Sequence, residues 1–374
     1  MTIGIDIRMI GNQHGGIGRY ILQLVTRLTA LGVGHKFILF YHPGSIQQAD
    51  WELLRVKPAV HMVAAPYRHY SVAEQVRLPK LLGKYSLDIM FFPNFNVPVM
   101  YKGPFVVTIH DVIHHKIGGV KKSHWLHFQA YKKVIQHAAS SSQGIITVSE
   151  HSKKEIAETL HVSPQKISVT YEGSFLRGDI PEQMLQQVKQ SFRLAKPYFM
   201  FVGVLQRNKN IIQLARGFDA FLKKYRLEMD LVIVGKADPH YPDIKHHALD
   251  IQHSDHVVFT GYVDDHALSA LYKGAHAFVT ASKYEGFGLP GVEAMHFGLP
   301  LAVSNIPVFN EIYDNAAVYF DPDNTDDIAE KLALVASDPQ FYAQQQQKSL
   351  QRSLVYDWER TAQETLALLT QKGA

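Results

Sequence analysis

Two glutamates eight positions apart have the residue type and the spacing to hold both hydroxyl-rich ends of one ligand. Glu285 lies in a glycine-rich loop, and Glu293 lies roughly one turn, about 4–5 Å, into the helix expected to follow it. A carboxylate accepts hydrogen bonds from both hydroxyls of a vicinal diol. The helix start between them offers unpaired N–H groups and a positive dipole end, which suit a diphosphate. The pattern therefore predicts a cradle for a nucleotide-sugar.

The elements that must position these glutamates are a strand, a tight loop and a helix. Ala277–Thr280 is a short apolar run typical of a buried strand in a parallel sheet. Gly286, Gly288 and Gly291 mark the loop, and Pro290 fits the first turn of the helix, where a missing N–H costs nothing. An arbitrary pair of glutamates would be two solvated side chains, but the strand, the glycines and the proline favour a binding site.

The stretch from 280 to 300 closely resembles the Glu-x7-Glu signature of the retaining glycosyltransferases of family 4, and a weaker resemblance covers most of the 374 residues. The resemblance implies an α/β protein with the GT-B fold, in which two Rossmann-like, doubly wound parallel-sheet domains face a cleft. It implies that Glu293 binds the ribose and that Glu285 acts on the transferred sugar. The loop residues implied to bind the donor are Gly286, Phe287, Gly288 and Leu289.

Both halves of the chain alternate short β-branched runs with helical patterns, which indicates doubly wound parallel sheets independently of the resemblance. The strands expected in the first half are Thr2–Arg8, Phe37–Tyr41, Val60–Ala64, Ile89–Phe92, Phe105–Ile109, Gly144–Val148 and Ile167–Val169. Those in the second half are Tyr198–Gly203, Leu231–Gly235, Val257–Thr260, Ala277–Thr280, Leu301–Ser304 and Ala317–Phe320. We expect domains at 1–172 and 197–355, a linker at 173–196, and a final helix at 356–374 that packs back on the first domain.

Glycines and polar residues follow two expected strands of the first half. Gly15 and Gly16 lie in a glycine-rich loop, which lets a ligand approach the backbone closely. His110 and Asp111 stand at the carboxyl end of a strand, where parallel sheets bind ligands. A histidine at such a place can instead serve only the structure of the protein. The resemblance implies that the two glycines help to shape the donor and acceptor sites. It also implies that His110 contacts the donor sugar, and Asp111 is expected to orient His110 or the acceptor.

Two cations lie where a helix starts after the first strand of the second half. Arg207 and Lys209 would repel the helix dipole unless an anion binds there, which predicts a phosphate site. The family commonly has Arg-Lys-Asn at this place, so Lys209 matches directly. Arg207 stands one position earlier than the family arginine, which Asn208 replaces here. The resemblance further implies backbone contacts to the nucleobase from Gly261, Tyr262 and Val263.

The composition excludes several classes of protein and of site. Hydrophobic content of 46% and charged content of 19% are typical of a soluble globular protein. There is no cysteine, so disulfides and thiolate metal sites are excluded. The start of the chain lacks the apolar core of a signal peptide, and no apolar run approaches the roughly 18 residues that span a bilayer. We expect a cytoplasmic protein.

Neither the histidines nor the acidic runs predict a metal site. The group between 240 and 256 is rich in histidine but has no ligand spacing with a carboxylate or cysteine partner. Asp321–Asp327 looks superficially like a calcium loop, but it lacks the turn glycine and the glutamate at the twelfth position. We expect a turn and a helix N-cap there. The expectation is therefore no metal and no cofactor, the nucleotide-sugar being a substrate.

Charge is distributed unevenly along the chain. Residues 1–175 contain 19 Lys+Arg and 10 Asp+Glu, whereas residues 176–374 contain 19 and 24, so the first half is basic and the second is acidic. The expected helix Lys121–Ala139 places Trp125 and Phe128 beside four lysines, including Lys132 and Lys133. It is either a helix packed by its apolar face or an interfacial helix that faces anionic lipid on the inner side of the membrane.

The motifs and the family resemblance together predict a metal-independent hexosyltransferase, and the resemblance implies that it retains the anomeric configuration. The similarity favours mannose from GDP-mannose as the donor and a glycan or polyprenyl-linked acceptor of cell-surface polysaccharide synthesis, with no nucleic acid partner. Two alternatives stay open, namely a catalytically silent nucleotide-sugar-binding partner of another transferase, and a GT-B epimerase or phosphorylase. Product analysis separates phosphorolysis from transfer.

Overall fold

The computed structural model describes residues 1–11, 15–55, 59–116, 125–176 and 178–373. The chain divides into two units. The first, called unit 1, contains Met1–Glu172 and Asp357–Ala374, and the second, called unit 2, contains Gly173–Tyr356. Each unit is built on one parallel sheet.

Within these residues, the sheet of unit 1 has seven parallel strands in the order β3-β2-β1-β4-β5-β6-β7. They are β1 Thr2–Asp6, β2 Lys36–Tyr41, β3 Val60–Ala64, β4 Ile89–Phe92, β5 Phe105–Thr108, β6 Gly144–Thr147 and β7 Ile167–Val169. The sheet of unit 2, in the described residues, has six parallel strands in the order β10-β9-β8-β11-β12-β13. They are β8 Tyr198–Val202, β9 Asp230–Val234, β10 Val257–Gly261, β11 Ala277–Thr280, β12 Leu301–Ser304 and β13 Ala317–Phe320.

Helices connect most of the strands. In unit 1 they are α1 Gly15–Leu31, α2 Gln48–Arg55, α3 Val72–Leu82, α4 Ile113–Lys116, α5 Trp125–Ser141 and α6 Glu150–Leu160. In unit 2 they are α7 Glu182–Ser191, α8 Ile211–Tyr225, α9 Ile244–Ala248, α10 Asp265–Gly274, α11 Leu289–His296, α12 Pro307–Tyr313, α13 Thr325–Ser337 and α14 Pro339–Ser353. The last helix, α15 Trp358–Gly373, belongs to unit 1.

The hydrophobic pattern explains why these segments are strands. The four residues of β4 and the four of β11 are all buried, as expected of strands covered on both faces by helices. All thirteen strands expected from the sequence are present, with ends within two residues of those expected. The doubly wound α/β prediction is therefore confirmed.

The strand order of each sheet reverses at one place. The first strand lies beside the fourth in both units, so that β1 neighbours β4 and β8 neighbours β11. Loops that leave two such strands turn to opposite sides of the sheet and leave a crevice at its carboxyl edge, where open α/β sheets bind ligands. This rule selects the loops after β1, β4, β8 and β11 as candidates for function.

Helix α15, at the end of unit 1, and helix α7, at the start of unit 2, each pack against another helix of their own unit. Helix α15 packs on α1, and the buried Trp358 meets Tyr20 with an interplanar angle of 60° and a centroid distance of 5.7 Å. Segment 173–196, expected to be a linker, contains α7, which packs on α10 within unit 2. No helix in the described parts of the chain is both long and apolar enough to cross a membrane.

Candidate active site

Lys209 and Glu285 form an ion pair at the switch point of unit 2. Lys209 ends a 3₁₀ turn, Arg207–Lys209, in the loop after β8, and Glu285 lies in the loop after β11. The Lys209 Nζ atom donates to Oε1 of Glu285 at 2.6 Å. The backbone N–H of Lys283 also donates to the carbonyl of Asn208 at 2.8 Å, which holds the two loops together. Two residues 76 positions apart are thus brought into contact by the strand order.

The ion pair stays accessible to a ligand. The side chains of Lys209 and Glu285 are 18% and 17% exposed. A diphosphate that reached Lys209 would bind the same ammonium group that the carboxylate now binds. The arrangement can therefore place a cation for phosphate oxygens directly beside a carboxylate for sugar hydroxyls.

Arg207 does not join this pair. Its guanidinium lies over the ring of Tyr241, 5.4 Å from the centroid. It also lines a cavity of about 280 Å³ between the segments that follow β8 and β9, together with Gln206, Asn210, His240 and His247. The two cations predicted to act together on a diphosphate therefore face different neighbours in this structure.

Glu293 is in a different environment from Glu285. It is 2% exposed, and its Oε2 atom lies 3.0 Å from the hydroxyl of the buried Tyr272 on α10. That hydroxyl is also 3.0 Å from the carbonyl of Pro290. Sequence reasoning missed Tyr272, because the helical pattern around it indicates only a buried position. The carboxylate of Glu293 is fixed from behind by this tyrosine.

The glycines of the loop make room for a second buried tyrosine. Tyr313 on α12 donates from its hydroxyl to the carbonyl of Gly288 at 2.7 Å. A Cβ atom on Gly288 or Gly291 would lie 2.3 Å from that hydroxyl oxygen, and Gly288 also has a φ of +104°. Burial, with the nearby charge of Glu285, raises the pKa of Tyr313 well above its usual value. The glycines predicted from the sequence thus serve packing against a tyrosine that it did not reveal.

The remaining predicted donor residues of unit 2 lie along the same edge of the sheet. Gly261 has a φ of +72°, and its carbonyl accepts from the N–H of Gly235 at 3.0 Å. Tyr262 is exposed, and the Nζ atom of Lys236 lies 4.5 Å from its ring centroid. Phe287 is buried against the edge of Tyr356. Val263, Gly286 and Leu289 are half-buried.

His110 in unit 1 is flanked by two hydrogen-bond acceptors. Its Nε2 atom lies 3.3 Å from the carbonyl of Pro93, and its Nδ1 atom lies 3.7 Å from Oε1 of Glu172. The ring of Tyr20 meets it at a right angle, with 4.6 Å between centroids. Glu172 was missed from the sequence, although it stands just beyond the carboxyl end of β7. At 3.7 Å the Glu172 carboxylate is a charged neighbour of the imidazole and not its hydrogen-bond partner.

The other predicted residues of unit 1 have local roles. Asp111 accepts through Oδ1 from the N–H of Ile113 at 2.9 Å, which caps the short helix α4. Gly15 and Gly16 begin α1, and Gly15 has a φ of +55°. A Cβ atom on either glycine would meet no atom of the described residues within 4 Å. Both glycines therefore present open backbone.

In the parts of the chain that the structure describes, no three histidine or acidic side chains are grouped so as to hold a metal ion. The run Asp321–Asp327 forms a turn, and Asn324 caps α13 by accepting from the backbone N–H groups of Asp326 and Asp327. The prediction of a turn and an N-cap at this place is confirmed.

Two doubly wound parallel sheets in succession define the GT-B architecture. A family model described as Glycosyltransferase Family 4 matches residues 14–173, and one described as Glycosyl transferases group 1 matches residues 183–352. The chain belongs to the family 4 glycosyltransferases, as its Glu-x7-Glu stretch indicated.

Curated relatives of this chain include mannosyltransferases, and solved structures share its fold. The chain is 27% identical to O-antigen chain mannosyltransferase B from Escherichia coli, over 94% of each chain. It is 29% identical to O-antigen chain mannosyltransferase RfbU from Salmonella typhimurium, over 86% of this chain and 87% of that protein. The fold is similar to that of the HepE protein from Anabaena in complex with UDP-glucose, with a TM-score of 0.76, 14% identity and coverage of 99% of this chain and 100% of that chain.

We predict that Gly291→Ala destabilises unit 2, because its Cβ atom would overlap the hydroxyl of Tyr313. Overpacking of this kind costs about 1–3 kcal/mol, measured as a lower midpoint of urea unfolding. Gly178→Ala is the matched control in the same unit, because a Cβ atom there meets no atom within 4 Å in the part of the chain that the structure describes. Equal midpoints for the two variants would contradict the packing described for Tyr313.

Proposed function

We propose that this glycosyltransferase transfers mannose from GDP-mannose to a glycan or polyprenyl-linked acceptor, with retention of configuration and without an essential metal. The observation that carries the proposal is the contact between Lys209 and Glu285 at the switch point of unit 2. The names of the two O-antigen mannosyltransferases support mannose as the sugar. Their names also support a cell-surface polysaccharide as the product.

Different residues of unit 2 bind different parts of the donor in this proposal. Lys209 binds the diphosphate, Glu285 acts on the transferred sugar, and Glu293 binds the ribose. In the reaction, the bond from the anomeric carbon to the phosphate oxygen breaks, and a bond to the acceptor oxygen forms on the same face. The acceptor proton passes to the leaving phosphate, so that no other base is required. A fixed cation beside the departing phosphate stabilises the negative charge that develops on it.

Other predicted residues have supporting roles in the proposal. Arg207 can reach the diphosphate only after leaving the ring of Tyr241, so we assign it a weaker contribution than Lys209. The backbone of Gly261, Tyr262 and Val263 binds the base, and the loop of residues 286–289 encloses the phosphates. The catalytic roles of His110 and Asp111, and substrate binding by Gly15 and Gly16, stay predictions.

The donor is identified by a screen of nucleotide-sugars with the whole protein. We expect GDP-mannose to give the largest rise in melting temperature and a slow hydrolysis that releases α-mannose first. Activity should persist in excess EDTA. Preference for another nucleotide-sugar, release of the β-anomer, or loss in EDTA with recovery on adding Mg²⁺ or Mn²⁺ would each contradict the corresponding part of the proposal. Phosphorolysis or epimerised product would favour the alternative enzymes.

We predict that Lys209→Ala weakens binding of GDP about ten- to a hundredfold, because a hydrogen bond to a charged group contributes about 1.5–3 kcal/mol. Binding of guanosine should not change. Glu285→Gln should bind GDP at least as tightly as the wild type, because Lys209 loses its competing carboxylate, while turnover falls about tenfold or more. Isothermal titration and initial rates measure these effects.

Lys283→Ala is the matched control for these variants. Lys283 lies in the same loop but is exposed and paired with Asp323. Its removal should leave GDP affinity unchanged. If Glu285→Gln weakened GDP as much as Lys209→Ala does, the assignment of separate roles would be wrong.

We further propose that unit 1 docks on an anionic membrane surface to reach a lipid-linked acceptor. Trp125 at the start of α5 is 63% exposed, and Lys132 and Lys133 are exposed on the same helix. Lys121 and Lys122, at the start of the helix expected from the sequence, lie outside the described residues. Each lysine near an anionic surface contributes about 1 kcal/mol, and salt weakens the attraction.

We expect the protein to co-sediment with anionic vesicles at low salt, and less so as the salt concentration rises. The variant with Lys132→Glu and Lys133→Glu should bind less. The variant with Lys153→Glu and Lys154→Glu, on α6 of the same unit, changes the net charge equally and should bind better than the first. Wild-type protein that ignores anionic vesicles would show that α5 is an ordinary packed helix.

A further inference from the structure

We propose that Lys236 is a specificity-determining residue that recognises the nucleobase of the donor, by donating a hydrogen bond to a keto oxygen of the base. The oxygens of this kind are O6 of guanine and O4 of uracil. The inference deepens the proposed function and rests on it, because it requires that the segment 261–263 binds the base. Three observations carry it, namely the position of Lys236 beside that segment, its fixed backbone, and its accessible ammonium group.

Lys236 lies beside the segment proposed to bind the base. It stands two residues after the end of β9, and Tyr262 directly follows β10, the neighbouring strand in the sheet of unit 2. The two strands are parallel, so both residues lie at the carboxyl edge of the sheet, where open α/β sheets bind ligands. The Nζ atom of Lys236 lies 4.5 Å from the centroid of the Tyr262 ring. A donor from Lys236 is therefore available next to the backbone of Tyr262.

The backbone around Lys236 is held on both sides. The N–H of Gly235 donates to the carbonyl of Gly261 at 3.0 Å, and the carbonyl of Lys236 accepts from the N–H of Leu205 at 3.0 Å. Gly235 has a φ of +145°, and a Cβ atom there would overlap the carbonyl oxygen of Gly203, so this close approach requires glycine. The loops after β8, β9 and β10 are thus joined, and the side chain of Lys236 starts from a defined point at the edge of the sheet.

The ammonium group of Lys236 is accessible to a ligand. Lys236 is exposed, and Tyr262 beside it is 50% exposed. Within the described residues, Lys236 forms no ion pair with a carboxylate, whereas Lys209 is bound to Glu285. A cation over an aromatic ring at an exposed site is held only weakly. The ring of Tyr262 therefore positions the ammonium group without preventing it from binding a ligand.

The hydrogen-bonding capacity of an ammonium group defines which bases it favours. A lysine donates up to three hydrogen bonds and accepts none. Guanine presents O6 and N7 as acceptors, and uracil presents O4, whereas adenine and cytosine present an amino group in place of the keto oxygen. Lys236 therefore favours the keto bases over their amino counterparts. This preference does not depend on the transferred sugar, because the sugar is attached at the other end of the donor.

Isothermal titration of the whole protein with matched nucleoside diphosphates tests the proposal. One pair of probes is GDP and the 5′-diphosphate of 2,6-diaminopurine riboside, and the other pair is UDP and CDP. Within each pair an amino group replaces the keto oxygen, and the adjacent ring nitrogen loses its hydrogen, while the ribose and the diphosphate are kept. In the pair that binds more tightly, we expect the wild type to bind the keto member about tenfold more tightly than the amino member.

The ratio of the two affinities within a pair is the quantity that reports on Lys236. Lys236→Met keeps the length of the side chain and removes its donors, so the ratio should fall to about threefold or less. Loss of a positive charge weakens the binding of every diphosphate, but it does so equally within a pair. In Lys236→Gln the amide oxygen can accept from an amino group, so this variant should bind the amino member more tightly than Lys236→Met does.

Lys245→Met is the matched control. The Nζ atom of Lys245 lies 5.3 Å from the centroid of the Phe259 ring, so the variant removes the same kind of contact from another exposed lysine of unit 2. Lys245 lies on α9 and has no part in the proposed binding of the base. The ratio should therefore stay at its wild-type value. Melting temperatures of all the variants confirm that they are folded.

Three results would overturn the inference. They are an unchanged ratio in Lys236→Met, a wild type that prefers the amino member, and an equal fall of the ratio in Lys245→Met. None of them bears on whether the protein binds a nucleotide-sugar. Absence of binding by all four probes would instead contradict the nucleotide part of the proposed function, and this inference with it. Tighter binding of UDP than of GDP, with a ratio that depends on Lys236, would contradict GDP-mannose as the donor and support the inference.

Discussion

The candidate active site of unit 2 depends on the reversal of strand order in a parallel sheet. Parallel neighbours are joined by right-handed crossovers, so loops diverge where the chain changes direction across the sheet. In unit 2 this happens between β8 and β11, and the loops there bring Lys209 to Glu285. In unit 1 it happens between β1 and β4, where Asp6 and Asn94 meet around one small cavity.

The two charged clusters have different physical consequences. Two unit charges 4 Å apart interact by about 4 kcal/mol near a protein surface, but exposed pairs contribute only about 0.2–1 kcal/mol to stability after desolvation and ordering. The side chains of Lys209 and Glu285 keep less than a fifth of their surface exposed, and their contact fixes the ammonium group beside the carboxylate. Arg8 is buried between Asp6 and Glu74, and removing it would leave two carboxylates without their cation. That cluster is a structural requirement of unit 1.

Buried tyrosines support the functional loop of unit 2 from behind. Tyr313 fills the space that Gly288 and Gly291 leave, and Tyr272 holds the carboxylate of Glu293. Burial keeps the pKa of the Tyr313 hydroxyl well above its usual value, so this tyrosine fixes the loop without adding a charge beside Glu285. The residues that pack behind the loop, Tyr272 and Tyr313, are thus different from the residue proposed to act on the sugar, Glu285.

Much of the architecture could be predicted from the sequence. Strands of a parallel sheet are buried on both faces and read as short apolar runs, which is why all thirteen were located to within two residues. The N-cap at Asn324 could also be predicted from the sequence, because an N-cap residue binds backbone N–H groups only two or three residues further along the chain. The Glu-x7-Glu stretch was recognisable because its strand, loop and helix are contiguous.

Contacts between distant positions were decided only by the tertiary structure. The sequence placed Arg207 and Lys209 on one anion, but Arg207 lies on Tyr241 while Lys209 contacts Glu285. It gave no sign that Glu172 lies beside His110. Local periodicity reports which face of an element is buried, whereas the partner of a polar side chain depends on where a second loop passes. That path is fixed by the packing of the whole unit, so the sequence by itself determined the elements and their order, and the fold decided which side chains meet.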